Sequence, residues 1–481
     1  MTTNTTNANV AFPEPIAAWV TDPKFSHTQL GNAERLVQEY GRDIKYCHAW
    51  KSWLVWGGTR WTRGTGGEVE RMAMKSVRSI ARHARTVSDD ELRSKIEGHA
   101  KRSETRYNLD AIVDIAKNMT GIQVLPDQFD NDEFSFNCLN GTIDLKTGKL
   151  RAHDREQLIT KLSPVEYRPD AECPIWLGFL YRVLDGNADL IDFMQKAIGY
   201  SLTGAVNEKA LFFLHGTGDN GKTTLLEAIR PILGDYAGTV DIEALMKKAQ
   251  TSEKERAFAD LLGKRFVTSS EAAEGEALHE ARIKYLTGMG RLSGRRIYGS
   301  SFEFDPQFKL FIDANHKPRI SGNEEAIWNR FRMVPFTVSI PKAEQDKQLL
   351  AKLANEAPGI LAWAVQGCLR WQNEGLGAPA TVTQATEDYR NEMDPVADFI
   401  EDCCNANPEA FTLSKDLYEA FVKWCYLIHE KPTSYKSFGL ALERKGYSKD
   451  RMSGGARGRN GLELRAEPLA HSVQQDTAYT A

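Results

Sequence analysis

Ala210-Leu211-Phe212-Phe213-Leu214-His215-Gly216-Thr217-Gly218-Asp219-Asn220-Gly221-Lys222-Thr223-Thr224-Leu225-Leu226 decides the fold of this chain. Its middle fits G-x-x-x-x-G-K-[S/T], a loop that wraps nucleotide phosphates. The apolar run 210–214 reads as a buried strand, and 224–229 reads as the following helix, stopped by Pro231. A glycine-rich surface turn needs neither flank. Glycines let backbone N–H groups converge on phosphate oxygens, and the positive end of the helix assists. Residues Gly216, Thr217, Gly218, Asp219, Asn220, Gly221, Lys222, Thr223 and Thr224 therefore form the expected nucleotide set. Lys222 would bridge the β- and γ-phosphates, and the Thr223 hydroxyl would hold Mg²⁺. The expected cofactors are ATP and Mg²⁺.

The bulk properties narrow the choice. At 481 residues the chain exceeds one ordinary core, so several domains are expected. Its net charge of −4 excludes a polycation, and any nucleic-acid contact must come from local basic patches. Seven cysteines show no C-x-x-C pair and no zinc-like spacing, which suits a reducing compartment. The adjacent Cys403 and Cys404 are expected to be buried together in a helix. No apolar run approaches the roughly 20 residues of a membrane span. The first ten residues lack the basic and apolar regions of a signal peptide, so a soluble intracellular protein is expected.

Composition shifts divide the chain. Residues 1–28 read as a flexible arm, and 29–178 as an accessory domain. In that domain Trp50, Trp53, Trp56 and Trp61 mark strands around a Gly57-Gly58 turn, followed by helices over 69–86 and 89–101. The basic residues of those helices suit either a nucleic-acid backbone or a solvated face. Asn140-Gly141 signals a tight hairpin. Asp127, Asp130 and Asp132 read as loop acids. Strands alternate with helices over 179–375, which predicts an α/β phosphate-loop core with a mostly parallel sheet. Over 390–467, short helices followed by a Gly/Arg-rich strip predict a winged helix-turn-helix, and 468–481 reads as a disordered tail.

A phosphate loop does not by itself name a reaction. The apolar run 265–270 ends at Glu271, where an acid can hold Mg²⁺ through water or polarise the attacking water. Glu274 follows as a weaker candidate. Ser270 occupies the position where an Asp would be usual, and it could orient a metal-bound water. A further apolar run, 308–314, ends at Asn315, a neutral amide able to hydrogen-bond both the γ-phosphate and the water. Arg330 and Arg332 are candidates for an arginine that forks onto phosphate oxygens from a neighbouring subunit, Arg330 first. Lys284, Arg291, Arg295, Arg296 and Tyr298 lie on a basic, glycine-broken stretch suited to single-stranded DNA.

In this order the motifs resemble superfamily 3 helicases, and more narrowly the phage and plasmid primase-helicase family that includes the poxvirus primase-helicase. The resemblance rests on G-T-G-D-N-G-K-T-T (216–224), L-G-K-R-F-V-T-S-S-E (262–271), F-K-L-F-I-D-A-N-H-K-P-R-I (308–320) and I-W-N-R-F-R-M-V-P-F (327–336). It implies an AAA+ ring, usually a hexamer, that holds ATP between subunits and moves 3′-to-5′ on DNA passing through its centre. It makes Lys222 and Thr223 the phosphate and metal contacts, Glu271 the catalytic acid, Asn315 the sensor and Arg330 the finger. The basic loop with Lys284 and Arg295 would face the channel. The chain departs from the family at Met289-Gly290, where Gly-Asp is usual, at Ala314, where Thr is common, and at Asn329, where Arg is common.

The resulting expectation is an ATP-dependent replicative DNA helicase of a phage, prophage or plasmid, acting in the bacterial cytoplasm. Its expected partners are single-stranded and forked DNA, further copies of itself, and a separate primase or primase-polymerase, with no membrane. Two rivals belong to other classes. One is an ATP-switched replication initiator that melts an origin without processive unwinding. The other is a phosphate-loop phosphotransferase, which would have no use for a sensor Asn.

Overall fold

The computed structural model describes residues 25–247, 251–270, 277–295, 301–320, 325–428, 432–451 and 455–465. Its N-terminal part comprises α1 (Gln29–Tyr40), β1 (Ile44–Cys47), β2 (Ser52–Trp56), β3 (Trp61–Arg63), α2 (Glu68–Ala84), α3 (Asp90–Ser103) and α4 (Arg106–Ala116). The three strands form an antiparallel meander around the Gly57-Gly58 turn. Helix α2 buries Val69, Met72, Ala73, Val77, Ile80 and Ala84, the three- and four-residue spacing of one helical face.

Next come β4 (Ser135–Cys138), β5 (Gly141–Asp144) and β6 (Lys149–Arg151). The expected hairpin is present. Cys138 pairs with Gly141, so its turn is Leu139-Asn140 and Gly141 already belongs to the strand. Two of the loop acids accept from backbone amides. Asp130 accepts from the Thr160 amide at 2.7 Å, and Asp132 accepts from the Phe134 amide at 2.9 Å.

The central region starts with α5 (Pro174–Val183) and α6 (Ala188–Tyr200). It continues through β7 (Leu211–His215), α7 (Lys222–Leu233), β8 (Ala237–Thr239), α8 (Thr251–Ala259), β9 (Phe266–Ser270) and α9 (Glu280–Lys284). Then follow β10 (Leu292–Arg295), β11 (Ser301–Phe304), β12 (Lys309–Ala314), α10 (Glu325–Trp328), β13 (Phe331–Pro335), α11 (Leu349–Asn355), α12 (Ala357–Glu374) and α13 (Ala380–Glu392). Five strands form one parallel sheet in the order β13-β7-β12-β9-β8. Apolar cores cover both faces. Phe212, Leu214, Phe311 and Val334 pack against α7 and α12 on one side, while Leu211, Phe213, Ile312 and Met333 pack against α9 and Tyr389 on the other. Burial on both faces explains why these strands read as mainly apolar runs.

Pro231 does not stop α7, contrary to expectation. The helix runs on to Leu233 and ends at Gly234, which has φ 54°. Pro231 forgoes its i→i−4 bond and crowds the carbonyl of Glu227, and the helix closes two residues later.

Two buried cations anchor the sheet's other end. Arg265 donates to the carbonyls of Ser135 and Leu202 at 2.9 and 2.6 Å. Lys309 donates to those of Thr203 and Ala205 at 2.5 and 3.1 Å, and burial pushes its pKa well down.

The C-terminal part comprises α14 (Pro395–Cys403), β14 (Cys404–Leu413), α15 (Ser414–Leu427), α16 (Tyr435–Arg444), β15 (Lys449–Arg451) and β16 (Arg457–Leu464). Its strands form an antiparallel sheet in the order β14-β16-β15. Strand β14 was not foreseen, since it holds Pro408 and its register breaks between Ala406 and Phe411. The paired cysteines therefore part company, Cys403 closing a helix and Cys404 opening a strand. All seven cysteines are free and buried. Among the described residues no helix is long and apolar enough to cross a membrane, and no group of three or more His, Cys, Asp or Glu is placed to hold a metal.

Candidate functional site

Strand β7 delivers the chain to Gly216 at the carboxyl edge of the sheet. A Cβ on Gly216 would sit 2.4 Å from the Phe336 carbonyl oxygen. One on Gly221, where φ is 83°, would sit 2.6 Å from Val183 Cγ1. Both positions therefore require glycine. Between them Gly218 and Asp219 take positive φ of 107° and 49°, which turns the loop. Helix α7 then opens at Lys222 with no side chain capping its first turn. Its free N–H groups and dipole favour an anion there. Thr217, Asp219 and Thr223 are exposed at the loop surface, and Thr224 is half-buried.

Lys222 is 3 % exposed, yet all three of its N–H donors have acceptors. They are the Gly216 carbonyl at 2.8 Å, Asn220 Oδ1 at 2.9 Å and Asn315 Oδ1 at 2.9 Å. Burial lowers the Lys222 pKa, and the nearby Asp313 carboxylate opposes that shift. Asn315 itself is exposed, at the open side of the cluster. Its place follows from sheet register, because β12 lies beside β7 with Ala314 opposite His215. At the end of β7 the His215 pKa is lowered by burial and then by Lys317 and Lys222.

Asp313 is the functional candidate that the sequence reading missed. It accepts from the Thr223 hydroxyl at 2.6 Å, and its other oxygen stands 3.9 Å from Lys222 Nζ. The signal was available as a lone acid inside the apolar run K-L-F-I-D-A. A hydroxyl and a carboxylate in contact are hard oxygen donors that suit Mg²⁺.

Among the described residues, Arg330, Arg332 and the basic hairpin make their contacts outside this cluster. Ser270 ends β9 beside Asp313, while Glu271 and Glu274 lie outside the described residues. Arg330 is 6 % exposed and held within its own chain. It donates to Thr287 Oγ1 at 3.0 Å and to the Ala326 carbonyl. Arg332 is half-buried and donates to the Asn329 and Phe331 carbonyls, each at 2.9 Å. Burial is the cause that lowers the pKa of Arg330, and it is the larger cause for Arg332. Of the proposed DNA contacts, Arg291 and Arg295 are exposed on the β10–β11 hairpin and Lys284 is half-buried in α9. Arg291 lies 3.8 Å from Glu303 and 3.7 Å from Asp305. Arg296 and Tyr298 lie outside the described residues.

Three family descriptions match successive parts of the chain. Residues 33–185 match a D5 N-terminal-like domain, 214–330 a family of unknown function, and 391–449 a poxvirus D5 protein-like domain. Residues 33–185 and 391–449 are thus similar to D5-type domains. The chain is also similar to curated viral proteins, each bearing a provisional name. Helicase L207/L206 of Acanthamoeba polyphaga mimivirus is 25% identical over 318 residues, covering 61% of this chain and 33% of the relative. Helicase 022R of Frog virus 3 is 28% identical over 270 residues, covering 52% and 27%. Primase C962R of African swine fever virus is 24% identical over 313 residues, covering 59% and 32%. The chain spans about a third or less of the length of these relatives. Among solved structures, the apo C-terminal region of NrS-1 shares the fold with a TM-score of 0.51 at 10% identity, covering 91% of this chain and 99% of that one.

Proposed function

We propose that this chain is the ATP-hydrolysing motor of a replicative DNA helicase of superfamily 3, encoded by a phage, prophage or plasmid. It works as a homo-hexameric ring that moves 3′-to-5′ along single-stranded DNA in the bacterial cytoplasm, alongside a separate primase or primase-polymerase. The observation that carries this reading is the contact between Lys222 and Asn315 at 2.9 Å. A phosphate lysine and a neutral amide from the neighbouring strand converge on one point, where a γ-phosphoryl group would displace their mutual contact. In chain order the parallel strands run 5-1-4-3-2 across the sheet, which supports an AAA+ core.

In this reading the glycine loop and Lys222 bind the triphosphate, and Thr223 holds its Mg²⁺, which neutralises charge on the phosphate oxygens. Asn315 orients the attacking water for Glu271, and Arg330 or Arg332 completes the site of the adjoining subunit. Such electrostatic positioning supplies most of phosphoryl-transfer catalysis. The β10–β11 hairpin carries Arg291 and Arg295 toward the DNA strand. The test is ATP hydrolysis by the purified chain with and without single-stranded DNA. Stimulation by DNA that disappears in Lys222→Ala supports the motor, and turnover indifferent to both sinks it.

The C-terminal part favours a second reading. Its order of helix, strand, two helices and two strands supports a winged-helix reading, which would suit duplex recognition by an origin-melting initiator. Strand displacement on a fork lacking any origin separates the two, since only the helicase unwinds it.

A further inference from the structure

The Asp313 carboxylate is buried, with 9% of its side chain exposed, in a cleft that already contains a lysine. That lysine does not need it. Lys222 has three donors and three closer acceptors in Gly216, Asn220 and Asn315, and the nearest Asp313 oxygen is 3.9 Å away. Among the described residues the hydrogen bond to Asp313 is the one from Thr223, made to Oδ2. Oδ1 therefore keeps its lone pairs in the cleft. A buried carboxylate is costly unless compensated by charge and hydrogen bonds, and here one neutral hydroxyl and an ammonium at 3.9 Å, already engaged by three closer acceptors, compensate it only in part.

Sheet register explains the placement. Asp313 stands opposite Ser270 of β9 and Leu214 of β7, so all three side chains project to the face on which α7 packs. Ser270 has no charge to offer a cation. The carboxylate on that face comes instead from the central strand, one step closer to the phosphate loop.

We propose that Asp313 is a magnesium-site carboxylate of this chain, binding the nucleotide's Mg²⁺ directly or through a water and fixing the Thr223 hydroxyl as a second oxygen donor. The inference rests on the nucleotide reading above. Strand β12 would then serve the site twice, with Asp313 toward the metal and Asn315 toward the γ-phosphate. Loss even of an outer-shell partner, as a water-bridged carboxylate would be, typically costs about 10- to 100-fold in metal affinity.

The test is equilibrium binding of a fluorescent ATP analogue to the full chain, with EDTA and across a Mg²⁺ titration, together with thermal unfolding as a check on folding. Wild type should bind more tightly with Mg²⁺. Asp313→Asn, which can still accept from Thr223, should match wild type in EDTA but need about 10- to 100-fold more Mg²⁺ for the same gain. Asp313→Ser serves the same purpose should the Asn variant melt early. An unchanged Mg²⁺ titration in a folded variant overturns the proposal while leaving the nucleotide reading intact. Failure of wild type to bind nucleotide at all overturns both, which distinguishes the two failures.

Discussion

Lys222 and Asn315 are 93 positions apart in the chain and 2.9 Å apart in space. Parallel pairing of β7 with β12 brings them together, so the loop that would grip phosphate and the amide that would sense it share one rigid frame. Removing the Lys222 ammonium should lower ATP turnover by at least the roughly 10²- to 10³-fold typical of losing one preorganised donor. Phosphate release by Lys222→Ala, measured below its own thermal midpoint so that the variant is folded, checks this. Near wild-type release would refute the site.

Asn315 is exposed and contributes little packing, so Asn315→Ala should keep the fold and most nucleotide affinity. Turnover should fall instead, because the amide acts on the γ-phosphoryl and its attacking water. Comparing the dissociation constant of a fluorescent ATP analogue with the hydrolysis rate separates the two effects. A large loss of affinity with an undiminished maximal rate contradicts the sensor role.

Arg330 presents a competition between roles. Its guanidinium is committed to Thr287 and Ala326 within its own chain, so a finger must exchange these contacts on assembly. Arg330→Ala should lower the thermal midpoint and also slow hydrolysis about 10³-fold or more if the finger acts across an interface. Adding Lys222→Ala subunits should then restore part of the activity, since mixed interfaces pair one intact loop with one intact arginine. A stability loss with normal turnover would mark Arg330 as purely structural and pass the role to Arg332.

The N-terminal helices carry an acid-sensitive histidine. Burial, with smaller effects from His27, Arg35 and Arg102, pushes the His99 pKa from 6.5 down to about 4. Its Nε2 lies 3.0 Å from Asn32 Oδ1. Between those two pKa values the unfolded chain binds a proton that the fold refuses. The stabilising contribution is therefore complete above about pH 6.5 and is lost as pH falls toward 4. The thermal midpoint should drop over this window, and His99→Gln should flatten the drop. An equal slope in the variant would place the acid sensitivity elsewhere.

Arg295 is exposed on the hairpin strand β10. If it contacts a phosphate, Arg295→Gln should weaken single-stranded DNA binding similarly for all sequences and reduce the salt slope by about 1. Fluorescence anisotropy at several salt concentrations measures both. An unaltered slope removes Arg295 from the interface.

Local pattern alone determined much of this protein. The glycine loop, its strand and its helix follow from residues within a few positions of one another. The parallel strands announced themselves as apolar runs because both of their faces are covered. Short-range signals failed where distant segments decide the outcome. Pro231 sits inside α7, which runs two residues beyond it, although proline there lacks its i→i−4 bond. Cys404 enters a strand because β16, some sixty residues later, pairs with it. Tertiary structure alone decided the roles of Asp313, Arg330 and Lys309. Each is a charged residue whose partners come from other elements: the hydroxyl of Thr223, that of Thr287, and the carbonyls of Thr203 and Ala205. A sequence fixes which groups carry charge, but sheet register and helix packing choose what each charge faces.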